Sequence, residues 1–266
     1  MTLPPPPEAP TTKAGLFAAV ESTLSATAAL AAALTEEQAM LPTPCEGWTV
    51  RDQVAHIIGL ESRLLGRPGA DSHQLPEGLA HLTTDTKRFM ELDVDVRRAR
   101  PWADVQAEAG EVLSARIQQL RELDFDGETL MEGPFGPRPA RAALALRAFD
   151  AWAHEQDIRD AIGQPGGMES PAAGVAIARC ASSLVVMANS AGLSDSEPVS
   201  VFVVDGPFAF QASSSPSSPS VVSLRMEAAD FTRLCCGRSS AARARVEIDG
   251  DVEIGQRFLN AMAITP

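Results

Sequence analysis

Thr49-Val50-Arg51-Asp52-Gln53-Val54-Ala55-His56-Ile57-Ile58 reads as the opening of a helix. A threonine followed three residues later by an acid is a capping-box signal. Hydroxyl and carboxylate can each satisfy one amide that the start of a helix leaves unpaired. Val50, Val54, Ile57, Ile58 and Leu65 then recur near helical spacing, so the helix runs to about Leu65 along one apolar face. His56 falls on the flank of that stripe, beside Gln53 and Leu60. Upstream, a helix is expected over roughly 14–40. Downstream, a loop with Gly66, Pro68, Gly69, Pro76 and Gly78 leads through a partly helical segment to the break at Pro101. A third helix carries Trp102, Val105, Ala109, Val112, Leu113 and Leu120 near helical spacing. A fourth starts after Gly133-Pro134-Phe135-Gly136-Pro137, has Pro139 in its first turn, and stops at Gly163. Four long helices with no strand signal between them argue for a helical bundle.

The character changes after Gln164-Pro165-Gly166-Gly167. A helix over about 170–191 leads to the β-branched run Val199 to Val204, ended by Asp205-Gly206-Pro207, with Phe208 to Ala212 as its hairpin partner. The Ser/Pro stretch 213–220 reads as a loop. Val221 to Met226 is expected as a strand, Ala229 to Cys236 as a short helix, Arg243 to Ile248 as a strand, and Asp251 to Met262 as a closing helix. That pattern is a small α+β unit. Residues 1–13, with Pro4 to Pro7 and Pro10, read as a disordered leader. The expected division is therefore 1–13 leader, 14–166 four-helix bundle and 167–266 small α+β domain.

Composition narrows the function classes. The chain has 266 residues, enough to bury a core without disulfide or metal staples, and 45% hydrophobic with 21% charged residues is ordinary globular usage. Lys+Arg total 22 against Asp+Glu 35, and the resulting formal charge of −13 repels phosphate backbones and anionic membrane surfaces. No nucleic-acid or membrane partner is expected. Cys45, Cys180, Cys235 and Cys236 are too few and too irregularly spaced for a disulfide framework or a zinc knuckle, and read as free thiols of a reducing cytosol. Lys13 with the Ala-rich run 14–34 resembles a signal peptide, but Glu21 interrupts it and Leu16, Val20, Leu24 and Leu34 fall near helical spacing. With no uninterrupted apolar run of 18 residues, the expectation is a cytoplasmic protein.

Two of the four histidines carry a pattern. Asp150 and His154 are four apart on the fourth helix, so they share a face, and Asp157 joins the row three residues on. Leu144, Ala151, Ile158 and Ile162 form the apolar stripe beside that row, which places it at the border of the bundle interior. Two readings stand on spacing alone. One is an ordinary helix-stabilising pair, with Arg147 balancing the extra acid. The other is half of a divalent-metal site, completed by a histidine from another helix. His56 likewise reads either as a solvent-edge side chain or as that partner. His73 and His81 carry no pattern, and GxSxG, P-loop, GxGxxG and HExxH motifs are absent from the sequence.

Two stretches resemble the signatures of a known family. Thr43-Pro44-Cys45-Glu46-Gly47-Trp48-Thr49-Val50-Arg51-Asp52-Gln53-Val54-Ala55-His56 is similar to the signature opening the second helix of the mycothiol-dependent maleylpyruvate isomerase family, within the DinB-like four-helix-bundle superfamily. Phe149-Asp150-Ala151-Trp152-Ala153-His154-Glu155-Gln156-Asp157-Ile158-Arg159 resembles its second signature, on the last bundle helix. Ala229 to Leu234, Gly237-Arg238, Gly250-Asp251 and Ile264-Thr265-Pro266 are similar to its small C-terminal domain, sterol-carrier-protein-like in shape.

The resemblance implies an α+β two-domain enzyme holding a divalent metal, zinc by expectation, on His56, Asp150 and His154. It implies mycothiol as cosubstrate and a small electrophile as substrate, in a monomer or homodimer. A metal-held thiolate would add to a conjugated double bond. Rotation and loss of the thiol then give isomerisation, and release of the adduct gives S-transfer. A functional arginine is implied in the C-terminal domain, where Arg238 matches best and Arg243 and Arg245 compete. This chain departs from the family in carrying Asp150 where glutamate is usual. The shorter side chain reaches about 1.5 Å less far, whereas metal–ligand distances tolerate a few tenths of an ångström. A non-catalytic module on the same bundle, and a hydrolase using the same donors on water without thiol, are the alternatives.

Overall fold

The structure, a computed structural model, describes residues 3–133, 136–215 and 218–265. The chain folds as two compact units. One is helical, Pro10–Ala172; the other joins Met1–Ala9 to Ala173–Pro266.

The helical unit holds α1 (Lys13–Ala33), α2 (Glu36–Ala39), α3 (Val50–Leu64), α4 (Asp85–Arg98), α5 (Trp102–Glu122) and α6 (Ala140–Ala161). The single first helix expected over 14–40 is two. The Leu34 backbone leaves the helical region, and Thr35 starts α2 through a complete capping box with Gln38. α1 is long and apolar enough by composition to cross a membrane. In this fold Leu16, Val20 and Leu24 are buried, and the helix packs along α5 and α6 as a core element.

α3 is the central element. The expected capping box is present, with Thr49 N–H donating to Asp52 Oδ2 at 2.9 Å. Val50, Val54 and Ile58 meet Trp102, Val105, Ala109 and Val112 of α5, Ile158 of α6, and Ala31 and Leu34 at the end of α1. Fully burying each of the larger aliphatic side chains is worth about 1.5–3 kcal/mol. Every residue from Val50 to Ser62 is buried, including the flank that its sequence pattern would leave to solvent. The cause is α4, which packs along α3 and contributes an inward face of Glu91, Asp93, Val94 and Arg97. A helix that buries charged side chains shows no apolar stripe, which is why the pattern reads only as partly helical.

Pro139 lies just before α6 as its N-cap instead of in its first turn. Arg138–Pro139 pairs antiparallel with Leu130–Met131, making a two-stranded ladder β1–β2. Pro134 and Phe135, named in the expected helix start, lie outside the described residues, as do Pro216 and Ser217 of the Ser/Pro loop. α6 ends before Gly163, whose φ of +66° only glycine adopts without strain.

The second unit holds α7 (Pro171–Ser182), α8 (Leu184–Ser190), β3 (Val199–Val203), β4 (Phe210–Ser213), β5 (Val222–Met226), α9 (Ala228–Cys235), β6 (Val246–Gly250) and α10 (Val252–Asn260). The helix expected over 170–191 is broken at Ser183 into two that bend by 44°. The sheet order is β4-β3-β5-β6, antiparallel except for the central β3–β5 pair, which runs parallel with Val201 opposite Leu224. β3 and β4 form the expected hairpin. Alternation along β3 buries Val199, Val201 and Val203, and α10 packs against β3 and β5. The strand expected from Arg243 begins only at Val246, because the Arg243 and Ala244 amides both turn back to the Ser240 carbonyl. Within this unit the Gln211 amide donates to the Pro4 carbonyl at 2.8 Å, which ties part of the Pro-rich segment to β4. None of the four cysteines is disulfide-bonded, and Cys180, Cys235 and Cys236 are buried.

Candidate metal centre

His56 comes from the middle of α3 and Asp150 and His154 from successive turns of α6, two helices that pack against each other. One ligand-capable atom from each of the three lies within 4.8 Å of the others. His56 Nε2 is 3.2 Å from Asp150 Oδ2, and His154 Nε2 is 3.8 Å from Asp150 Oδ1. The imidazole centroids are 4.4 Å apart, edge to face. His56 is 3% exposed and His154 7%, so His56 is not the solvent-edge side chain that spacing also allowed. The Asp150 side chain is 30% exposed and forms the open side of the group. Both of its carboxylate oxygens face imidazoles, Oδ2 towards His56 and Oδ1 towards His154.

Hydrogen bonding fixes the tautomer of His154. Thr43 has one hydroxyl proton and donates it to the Trp48 carbonyl at 2.8 Å, so Thr43 Oγ1 accepts from Gln53 Nε2 at 2.7 Å. That orients the Gln53 amide with Oε1 towards His154 Nδ1, 2.5 Å away, and Nδ1 therefore carries the proton. In the neutral ring that leaves Nε2 with the lone pair, facing Asp150 Oδ1. Two acceptors facing each other across 3.8 Å suit a cation between them. Asp157, which joins the same helical row, sits 3.5 Å from the same Nδ1, farther than the 2.5 Å of Gln53 Oε1. Gln53 is three residues before His56 on one helical face, a signal that spacing alone could have raised.

Electrostatics act on His56 and Asp150, which hydrogen-bond through His56 Nε2 and Asp150 Oδ2 at 3.2 Å. Burial, assisted by His154, lowers the His56 pKa to about 4, so the ring is neutral at physiological pH. Burial alone would raise Asp150, but Arg147 and the two imidazoles hold it well below the ordinary carboxylate range. Arg147 NH1 donates to Asp150 Oδ2 at 2.8 Å, and its Nε donates to Glu61 Oε1 at 2.9 Å. Glu61 also accepts from Arg116 Nε at 3.0 Å. Arg147 thus does more than balance a surface acid. It anchors Asp150 to a buried Arg116–Glu61–Arg147 chain that spans α5, α3 and α6. Nothing in the sequence pattern marks that chain, because its members are far apart.

The donor set, two imidazole nitrogens and one carboxylate oxygen, is of the kind that holds zinc with a coordination position to spare. Arg238 lies in the second unit just beyond α9, where its NH1 donates to the Cys236 carbonyl at 2.8 Å. Of its competitors, Arg245 pairs with Glu227 at 3.0 Å and Asp230 at 3.4 Å.

The family description "Mycothiol maleylpyruvate isomerase N-terminal domain" matches residues 20–159, which span α3 and the site-bearing part of α6. Two solved structures are similar over 90% of this chain and 94% of their own. One is the mycothiol-dependent maleylpyruvate isomerase, at 15% identity and a TM-score of 0.60. The other is a histidine-to-alanine mutant of the mycothiol-dependent maleylpyruvate isomerase, at 14% identity and a TM-score of 0.62. At such identity the likeness is one of fold. No curated protein matches the chain.

Proposed function

Because the chain belongs to the mycothiol maleylpyruvate isomerase N-terminal domain family, we propose that it is a metal-dependent enzyme using a low-molecular-weight thiol, mycothiol, on a small electrophile. The outcome is isomerisation of a conjugated double bond or S-transfer. The observation that carries this reading is the His56–Asp150–His154 group, its two imidazoles buried and its carboxylate half-exposed, with Gln53 Oε1 against His154 Nδ1. When bound, a divalent ion, zinc by preference of the donor set, supplies the Lewis acidity that keeps a thiol deprotonated near neutral pH.

The protein's own residues do the rest. His56, as a neutral ring, and His154 would present the nitrogen donors, and Asp150 would present the one negative charge. Gln53 holds the Nδ1 proton of His154, and Arg147 steadies the Asp150 carboxylate against rotation. Burial on the α3 side excludes water from behind the donors, so exchange takes place on the side where Asp150 is exposed. Arg238 remains our choice for holding a substrate carboxylate bidentately, and the C-terminal unit is the domain for which we keep the sterol-carrier-protein-like assignment.

The test compares three assays on metal-loaded protein. Thiol-dependent loss of an electrophilic alkene, abolished in His56→Ala and His154→Ala, supports the reading. Ester or amide cleavage without thiol would instead identify a hydrolase on the same donors. Binding without turnover in either assay would identify a non-catalytic module. Arg238→Ala is expected to raise KM for a carboxylate substrate and to leave metal content unchanged.

A further inference from the structure

Trp48 and Glu91 belong to no donor set, yet they join both histidines into one assembly. The Trp48 indole centroid lies 5.0 Å from the His56 ring and 5.6 Å from the His154 ring, tilted by 43° and 37°. It touches both imidazoles from the loop that precedes α3. Its backbone is fixed by a tight turn, with Thr43 N–H donating to the Trp48 carbonyl and Trp48 N–H donating to the Cys45 carbonyl, each at 3.1 Å. The far edge of the indole is fixed as well. Nε1–H donates to Glu91 Oε2 at 2.8 Å.

Glu91 is fully buried on α4 and accepts two further hydrogen bonds, from His81 Nε2 at 3.2 Å and Arg98 NH1 at 2.5 Å. Arg98 in turn holds Asp52 Oδ1 at 2.9 Å, the same carboxyl group that caps α3. A buried ionic group gains little stability over an apolar side chain of similar volume, and its better-attested use is to specify one arrangement. Here the arrangement specified is the indole plane. Gly47 adds to it: its φ is +80°, and a Cβ there would stand 2.5 Å from His81 Nδ1, so the histidine lies directly against the turn.

We propose that Glu91 is a positioning residue: by holding the Trp48 indole N–H it fixes the indole against both imidazoles, and so sets the direction in which His56 Nε2 and His154 Nε2 face Asp150. This rests on the reading of those three residues as metal donors. Removing the acceptor frees the indole to rotate about its side-chain bonds, and both rings lose their common wall. Residues that orient metal ligands in this way typically matter about 10–100-fold in metal affinity.

The experiment uses the full chain with Glu91→Met, Trp48→Phe, the double variant, and Glu91→Gln, which retains an acceptor. Two quantities are read: Co2+ and Zn2+ dissociation constants by chelator competition, with the Co2+ visible spectrum, and imidazole 15N and ring-proton shifts in metal-free protein. The expected result is an affinity loss of about 10-fold or more in each of the first two, with altered Co2+ spectra. The double variant should be no worse than the weaker single, because both remove one hydrogen bond. Glu91→Gln should restore most of the affinity. In metal-free Glu91→Met, shifts of both His56 and His154 should move together.

Unchanged affinity and spectrum, additive effects, or a shift at only one histidine would overturn the proposal. So would a fall in thermal midpoint with affinity intact, the mark of a purely structural role. A wild type that takes up no metal overturns the donor reading instead, and the metal-free shifts then decide the positioning by themselves.

Discussion

Replacing Gln53 by leucine removes the group that sets the His154 tautomer and leaves side-chain volume nearly constant. Two hydrogen bonds go, the 2.5 Å contact with His154 Nδ1 and the 2.7 Å contact with Thr43 Oγ1. The buried Nδ1–H then has two outcomes. If it stays, it lacks its partner, at a cost of about 1–3 kcal/mol to the fold. If the proton moves to Nε2, the lone pair needed for ligation is gone. Asp157 Oδ2, 3.5 Å away, is close enough to recover part of the loss, which places the effect towards the lower end of the range. Zinc affinity is expected to fall about 10–100-fold, or about 1.4–2.8 kcal/mol. The metal-free thermal midpoint should drop by about 2–4 °C per kcal/mol lost, for a unit of this size. Chelator competition reads the first and calorimetry the second. Gln53→Glu, which keeps an acceptor in place, should bind metal at least as well as wild type. Gln53→Leu protein that binds zinc like wild type and melts at the same temperature would refute the tautomer argument.

Three further outcomes follow from the same geometry. His56 is held neutral with its pKa lowered to about 4, so between roughly pH 6.5 and pH 4 the unfolded chain binds a proton that the folded chain does not. Metal-free protein should therefore lose stability as pH falls through that window, by about 3 kcal/mol in all, and His56→Asn should flatten the slope in denaturant titrations. Glu61→Ala leaves Arg116 and Arg147 buried without their shared carboxylate, and its urea midpoint should report a loss of about 3–5 kcal/mol. Gly47→Ala forces an L-residue to φ +80° against the His81 ring, which should cost at least about 1–2 kcal/mol in the same assay and change the tryptophan fluorescence around Trp48.

Much of this was legible in the sequence because it was local. The capping box at Thr49 and Asp52 placed the start of α3, and the i, i+4 spacing put Asp150 and His154 on one face of α6. Pairing His56 with them needed the family resemblance, since two histidines nearly a hundred residues apart carry no mutual signal. Its burial was hidden for a different reason. α4 covers that flank with Glu91, Asp93 and Arg97, so the element that buries it looks like a solvated helix. The partners that tune the site follow the same rule. Gln53 shares a helical face with His56 and could be suspected, whereas Glu61, Arg116 and Glu91 reach the site only through tertiary packing. The break after α1 is masked by an Ala-rich run whose pattern stays helical through Leu34, although Thr35 offers a fresh cap.

The proposed chemistry requires His56, Asp150 and His154 to hold one divalent ion. Elemental analysis of protein purified without added metal, beside His56→Ala, Asp150→Ala and His154→Ala, tests it most directly. About one zinc per wild-type chain is expected, and loss of it in all three variants. A wild type that refuses added zinc, or variants that load as fully as wild type, would contradict it.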